Sequence, residues 1–517
     1  MRSTFSGLNT MVRGIFANQL AQDTTGHNIT NAGTEGYSRQ KVNQGATRAQ
    51  LQNSIYGEVL VGTGVDSISL TRARNIYADK QFWAETSTQS YYSAMQTNFD
   101  KIEAAFDDSD DTGIQHAMEE FYSSLVDLST SASTSANRVT VIEKGNIFAD
   151  AIRTSAKQLQ EQINAEYEDL RLNLTKFNDL TDKIKNLNQN IMTTESTGAA
   201  ANDLRDERDL LVDQLSEYIS VHVYESSNGM YTIVSNGISL VNGNTKLTLQ
   251  LSEPVANDRY GLNDYSIEIK ESGIVFQPVN GSFKGHMDAI AEDKGYFDDL
   301  SNMAAFLLTS FNAQHKKGVG IAADAATGVN FFGASDTTGS ATYTWNAADQ
   351  CVTTGGPDTL KGIQVINELE VTEKLRADGG AGYVAARADG NGTGDGSNAV
   401  LLSTLFNMTQ SEVKEYDNAA EAGTERSIGE ISLNSYYTHA MARLGNDAQS
   451  VDTKSKAQDD VVAQIVNWRS STSAVDWNEE LSNMLVFQKG YSACARCLTT
   501  MDEMLDRLIN STGLVGR

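Results

Sequence analysis

Proline is almost missing from this chain: Pro254, Pro278 and Pro357 are the only three in 517 residues, and all lie in the middle. About 5% is usual in globular proteins. Both flanks are thus free of the residue that breaks helices, and long uninterrupted helices are open to them. Three cysteines, Cys351, Cys494 and Cys497, cannot build a disulfide framework. No run approaches the 18 or so consecutive apolar residues of a membrane span; Ala304 to Leu308 is among the longest. Basic charge is scarce too. With 40 Lys and Arg against 67 Asp and Glu the formal net charge is −27, which argues against phosphate-covered partners, so neither nucleic acid nor membrane is expected. Ser3, Ser6, Gly7, Asn9, Thr10 and Arg13 interrupt any apolar core at the start, and no cleavable signal peptide is expected.

What is present is enough for real cores. The hydrophobic share is 40%, and at roughly 100 to 200 residues per domain the length suggests three or four domains. Val65 to Thr197 holds two glycines, Gly113 and Gly145, and apolar residues recur there at three-and-four spacing, which predicts long helices. From Ala156 to Ile191 a seam of Leu159, Ile163, Leu170, Phe177, Leu180, Ile184 and Leu187 is broken only by Glu166 and Asn173. Tyr167 and Leu174, one position on, cover those gaps, and Ile76 to Phe106 is expected as a neighbouring helix.

After Leu215 the period changes to two. Val221 and Val223 face Tyr231 and Ile233 across Asn228-Gly229, a hairpin signal; Tyr265, Ile267, Ile269 and the pairs Asn242-Gly243 and Asn280-Gly281 extend the β region to about Phe283. A helix is expected from Tyr296 to Gln314, then a loop-rich stretch with 15 glycines between Gly318 and Ser397 and a β-like piece at Ala341 to Trp345. Helical spacing returns at Tyr437, Met441, Leu444 and Ala448. Helices, strands, helices: the order places a β module between two halves of a helical domain. The fold class expected is α+β, with N- and C-terminal helices paired in a coiled-coil or long-helix bundle and a β-rich outer module inserted in the middle. The expected division is an inner terminal helical domain (1–50 and 475–517), a long-helix bundle (51–221, 286–317 and 400–474) and β-rich outer parts (222–285 and 318–399).

Near the C-terminus Met484, Phe487, Tyr491, Cys494, Leu498, Met501, Leu505 and Leu508 step by three and four without a polar interruption. Near the N-terminus Phe5, Leu8, Val12 and Ile15 follow the same step, continued by the polar Gln19 and Gln22. A helix with one apolar stripe is marginal alone and needs a partner surface. Residues 1–50 carry five basic and two acidic side chains, and residues 475–517 four and six, so the ends are nearly neutral and the acid is concentrated between them. Subunits of such a chain can pack by their ends while the acidic middles face water. These stripes are the expected assembly interface.

Other motifs carry less. Cys494-x-x-Cys497 has no second Cys pair or nearby His to complete four ligands. Asp389-Gly-Asn391-Gly-Thr393-Gly394-Asp395 resembles the opening of a calcium loop, yet its twelfth position is Val400 where a bidentate Glu is required. The run Asp107-Asp108-Ser109-Asp110-Asp111 reads as a solvated loop. The six histidines are scattered, with no His-Glu-x-x-His or Gly-x-Ser-x-Gly element. No catalytic residue, cofactor or metal is expected.

The segment Asn28-Ile29-Thr30-Asn31-Ala32-Gly33-Thr34-Glu35-Gly36-Tyr37-Ser38-Arg39-Gln40 is specific. It resembles the NNIANxNTPGYSRQ signature of the bacterial flagellar hook-associated protein 1 family; related rod and hook proteins typically lack the Tyr-Ser-Arg-Gln ending. Gly62-Thr63-Gly64-Val65-Asp66, Asn202-Asp203-Leu204-Arg205-Asp206-Glu207-Arg208-Asp209-Leu210-Leu211, and Val475-Asp476 with Glu479-Glu480 and Phe487-Gln488-Lys489-Gly490-Tyr491 are similar to the family as well. Departures are Glu35 for the usual proline, His27 for the first asparagine, and Trp477-Asn478 for Leu-Asp. The residues of the signature favour turns and positive φ, so they are expected to end the first helix and fold the chain back. The signature-turn residues expected to matter are Asn28, Asn31, Gly36, Tyr37, Ser38, Arg39 and Gln40.

The resemblance implies a structural subunit, not an enzyme, at the junction of hook and filament, extracellular and exported by the flagellar type III route. It implies as partners other copies of the chain in an axial homo-oligomer, the hook protein, hook-associated protein 3 and a flagellar export chaperone. The alternative reading is a secreted adhesin or translocator with a helical stalk and a ligand-binding β module.

Overall fold

The computed structural model describes residues 6–54, 57–106, 113–322, 327–355, 358–416 and 426–510. Phe5 and the acidic run Asp107 to Asp111 lie outside them. Along the chain, α1 (Ser6–Asn31) is followed by β1 (Gln40–Ala46), the hairpin of β2 (Gln50–Ser54) and β3 (Gly57–Val61), and β4 (Val65–Arg72). Strand β4 returns antiparallel to β1, with Gln40 opposite Arg72 and Ala46 opposite Val65. Then come α2 (Ile76–Phe106), α3 (Gly113–Thr130), α4 (Ser135–Ser196) and α5 (Asn202–Tyr218).

The β module begins with an antiparallel meander of β5 (His222–Glu225), β6 (Tyr231–Ser235), β7 (Ile238–Asn242) and β8 (Thr245–Lys246). Strand β9 (Leu249–Leu251) pairs with β12 (Ile267–Ile269), which pairs with β13 (Ile274–Val275); β10 (Val255–Asn257) pairs with β11 (Leu262–Asp264). Helix α6 (Ser282–Phe306) runs through a π-helical turn, Leu307–Phe311, into α7 (Asn312–Lys317). A small sheet of β14 (Thr344–Asn346), β15 (Cys351–Thr353) and β16 (Thr359–Leu360) precedes the short α8 (Ile363–Glu368) and α9 (Glu373–Arg376). The chain ends in α10 (Ser397–Asn407), α11 (Gln410–Tyr416), α12 (Leu433–Ser473) and α13 (Trp477–Asn510). The architecture is α+β, with the first and last helices in contact and the strands in the middle.

Helix α4 is the spine. Its 62 residues rise about 90 Å, and its two halves enter two separate cores. The first half joins α2, α3, α6, α10 and α12 around a cluster of rings from Phe121, Phe148, Phe311, Phe331, Phe332 and Phe406. The second half packs with α5 and the β module around Phe177, Ile184, Val212, Ile233 and Phe283. Tyr167 and Leu174 are buried, as the seam requires, but so is Glu166. Glu166 accepts hydrogen bonds from Lys101 Nζ at 2.7 Å and lies 2.7 Å from His286 Nδ1, while Asn173 Nδ2 is 3.3 Å from the other ring nitrogen. The two polar breaks in the seam are thus the two groups that flank His286 on α6.

Three local expectations are corrected. Helix was expected from Val65, yet Val65–Arg72 is strand β4, because its hydrogen bonds go to β1 and no third strand or core imposes a readable alternation. Asn280-Gly281 does not turn a hairpin. Gly281, at φ +89°, precedes α6, and a Cβ there would sit 2.3 Å from the Tyr218 carbonyl oxygen. The helix expected from Tyr296 begins at Ser282, so the strands end at Val275 and Phe283 is helical.

Candidate functional site

Helices α1 and α13 lie antiparallel, and small residues let them approach. A methyl group on Gly14 would stand 2.9 Å from Cys494 Sγ, and one on Gly7 3.1 Å from Met501 Sδ. Gly490 lies against Asn18 in the same way. On α13 these contacts fall at Cys494 and Met501 of the expected stripe. On α1 they come from Gly7, Gly14 and Asn18, beside the expected Leu8, Val12 and Ile15 rather than on them, and coverage of both stripes is incomplete. Leu8, Val12, Ile15, Met484, Phe487, Leu498, Met501 and Leu505 are half-buried, Tyr491 is 39% exposed and Leu508 is 59% exposed. Across the 34 residues of α13 the one fully buried residue is Glu480.

That glutamate belongs to a joint beneath the helix pair. Asn28, in the last turns of α1 and 1% exposed, is its hub. Its Nδ2 donates to the Gln40 carbonyl at 2.9 Å and to Glu480 Oε2 at 3.1 Å; its Oδ1 accepts from Gln40 N at 2.9 Å and the Tyr37 hydroxyl at 2.8 Å. An amide supplies two donors and an acceptor with two lone pairs, so the Asn28 side chain is fully used. Arg39 donates from Nε to Glu480 at 2.7 Å and from a terminal nitrogen to Glu479 at 2.6 Å, and its backbone N–H donates to the Ser473 carbonyl at 2.9 Å. Burial works against the Arg39 charge, but the Glu479 and Glu480 carboxylates more than offset it and raise its pKa. Asn31 closes the helix locally, donating to the His27 carbonyl at 3.0 Å.

The other side of the joint is α5. Asp203, Asp206, Asp209 and Asp213 recur at helical spacing and present one acidic edge. Gln40 Nε2 donates to Asp203 at 2.7 Å and Ser38 N to Asp206 at 2.9 Å. Arg72 bridges Asp206 and Asp209 at 2.7 and 2.8 Å; Arg74 pairs with Asp79 at 2.9 Å and Asp209 at 3.2 Å; Arg469 of α12 reaches Asp213 at 2.8 Å and Asp79 at 3.0 Å. Burial alone would raise the Asp209 pKa, but Arg74 and Arg72 beside it hold it below the usual range. Gly36 turns at φ +77° directly over Leu210, where a Cβ would be 3.0 Å from the leucine Cβ. Burial, then Asp203 and Asp206, raise the Tyr37 pKa, so its hydroxyl stays a donor to Asn28.

Three segments that resembled the family thus meet in one place: 28–40, 202–211 and 479–480. Asn28, Gly36, Tyr37, Ser38, Arg39 and Gln40 sit in that joint, whereas the bonds of Asn31 run to His27 and Thr34 within its own turn. What sequence reasoning missed are the cations Arg72, Arg74 and Arg469 and their partners Asp79 and Asp213. The three-four spacing of the aspartates on α5 was the available signal. Elsewhere, Cys494 is half-buried and Cys497 exposed. The Asp395 carboxylate accepts from Ala388 N, Asn391 and Ser397 within its own loop. Among the described residues no group of three or more His, Cys, Asp or Glu is placed to hold a metal ion, and no helix is long and apolar enough to cross a membrane.

A pair of terminal helices is set on a long helical body through a salt-bridged joint, and the proteins this chain is similar to are structural subunits of the flagellum. Residues 99–332 match the family described as the flagellar hook-associated protein FlgK helical domain, and residues 469–511 the C-terminal family of flagellar basal body rod FlgEFG proteins. Flagellar hook-associated protein 1 of Bacillus subtilis (strain 168) is 28% identical over 100% of both chains. Its counterpart of Escherichia coli (strain K12) is 25% identical over 97% of this chain and 99% of its own. In fold, the chain is similar to the flagellar hook junction protein FlgK from Burkholderia pseudomallei, with TM-score 0.59 and 17% identity over 76% of this chain and 100% of that one. Over its whole length the chain is similar to flagellar hook-associated protein 1, and it is a structural component of the bacterial flagellum at the hook–filament junction.

Proposed function

We propose that the chain takes its place in the flagellum by coupled ordering and assembly of its two ends. Helices α1 and α13 pair with each other along the seam, and the surface left over is covered by neighbouring copies. One observation carries this reading: α13 has an eight-position apolar stripe, yet its one fully buried residue is a glutamate. In a finished structure such a stripe is covered. The residues assigned to that contact are Leu8, Val12, Ile15, Met484, Phe487, Tyr491, Leu498, Met501, Leu505 and Leu508. The joint around Asn28 and Glu480 sets the direction in which the helix pair leaves the body, and hence the spacing between copies.

With that role go export through the flagellar type III channel with a chaperone, an extracellular position, the hook protein on one side and hook-associated protein 3 on the other. The division into an inner helical layer, a long-helix bundle and β-rich outer parts belongs to the same reading. Nothing in the fold or the relatives favours the adhesin alternative, and no catalytic step is assigned. A strain lacking this chain should keep hooks and lose filaments in electron micrographs. The wild-type chain should restore them, and a Leu498→Asp, Leu505→Asp chain should not, although its body stays folded. Normal filaments with that double variant would overturn the proposal.

A further inference from the structure

The hairpin β2–β3 is a sheet of two strands, with no third among the described residues. Leu51 stands opposite Leu60 and Gln52 opposite Val59, so two leucines share one face and a valine lies on the other. Leu51, Leu60 and Val59 are 56%, 67% and 49% exposed. A free two-stranded hairpin is at best marginally stable in water, and apolar side chains on both faces with no cover are the mark of a docking element.

Its position and charge say what covers it. The ribbon that carries it is strapped along α1: Gln44 Nε2 donates to the Ala17 carbonyl at 3.0 Å, Arg13 pairs with Asp66 at 3.1 Å, and Gly64 lies directly on Thr10. The hairpin therefore leaves the molecule at the level of the N-terminal end of α1, in the layer of the terminal helices. From residue 49 to residue 65 the sole charged side chain is Glu58. Copies of a chain with net charge −27 repel except where they present uncharged surface. Such a surface exists on α1: residues 14 to 22 carry no charge, and Phe16 and Leu20, one turn apart, are 65% and 42% exposed.

We propose that the β2–β3 hairpin of one copy docks on the Phe16–Leu20 face of α1 of the next copy. The two patches are different parts of one chain, so the contact is head-to-tail. A contact of that kind repeats from copy to copy, closing into a ring or winding into a helix. The inference rests on the assembly reading above.

The test places a photoreactive benzoylphenylalanine at Leu60 of the full-length chain, in the strain lacking the chromosomal copy, and illuminates intact flagella. The expected product has twice the mass of the chain, with the cross-linked peptide containing Phe16 or Leu20. Capture of a different protein, capture of another part of the neighbouring copy, or no capture by a chain that is incorporated, overturns the proposal. In parallel, Leu51→Ser, Leu60→Ser should be exported with an unchanged circular-dichroism melt and restore filaments on fewer than about a tenth of hooks; full restoration overturns the proposal. Should the double variant melt early, the photocapture decides. Filaments persisting in the deletion strain would sink the assembly reading itself. Filaments lost on deletion but fully restored by the double variant would sink the docking alone.

Discussion

Asn28 and Glu480, 452 positions apart in the chain, are joined by a 3.1 Å hydrogen bond. One lies in the last turns of the first helix and the other in the first turn of the last, so a single contact ties both ends of the chain to one point of the body. The same glutamate receives Arg39 at 2.7 Å. Its charge is compensated by a cation and a neutral donor, which is the condition for burying a carboxylate without a large penalty.

Replacing Asn28 by Ala removes four hydrogen bonds and leaves Glu480 and the Gln40 backbone short of partners in a buried place. At about 0.5 to 1.5 kcal/mol net per bond, the four bonds together come to about 2 to 6 kcal/mol in denaturant unfolding, toward the upper end because buried groups are left orphaned. Asn28→Asp should be worse, since it sets a second carboxylate against Glu480. Adding Glu480→Gln to Asn28→Asp should recover part of that loss. If Asn28→Asp unfolds at the wild-type denaturant concentration, the hub assignment is wrong.

The contact of Gly14 with Cys494 makes a signed prediction. Gly14→Ala is ordinarily favourable in a helix interior by about 1 kcal/mol. Here its methyl would stand 2.9 Å from Sγ, so the single variant should lower the melting temperature. With Cys494→Ala the nearest atom becomes the Cβ at 3.9 Å, an ordinary contact, and Gly14→Ala should then be neutral or stabilising. Thermal melts of the four combinations decide, and additivity of the two changes would count against close packing of α1 on α13.

Asp293 sits fully buried in the helical body. Asn98 and Gln162 donate to its Oδ1 at 3.0 Å each, and its Oδ2 has no hydrogen-bond partner among the described residues. Burial, opposed by the Asn98 hydrogen bond and reinforced by the Glu166 charge, pushes its pKa up to about 8; Lys101 lowers it and Glu292 raises it. Between about pH 4 and pH 8 the folded protein therefore holds a proton that the unfolded chain releases. Stability from this group falls as pH rises through that range. Asp293→Asn keeps a neutral side chain throughout, so its stability relative to wild type should climb from pH 5 to pH 8 and level off above. A difference independent of pH in urea titrations would show that Asp293 is ionised in the fold.

How much of this was legible follows from the elements themselves. Asn228-Gly229 marked the β5–β6 hairpin, and Asn236-Gly237 was an equal signal that went unused: both residues have positive φ, and they form the two-residue loop between β6 and β7. The ribbon of β1 and β4 left no such mark. Gln40–Ala46 reads Gln-Lys-Val-Asn-Gln-Gly-Ala, and a strand with a single partner and little core has no apolar alternation to display.

By itself the sequence determined the long helices α2, α4, α12 and α13 and the turn after Asn31, because each depends on neighbours within a few residues and on the near absence of proline. Which carboxylate meets which cation was settled in three dimensions. Arg72 meets Asp206 134 positions away and Arg469 meets Asp213 at 256. Local periodicity holds no record of partners at that distance, because charge pairing depends on where the packed helices bring the groups, and that is a property of the core rather than of the motif.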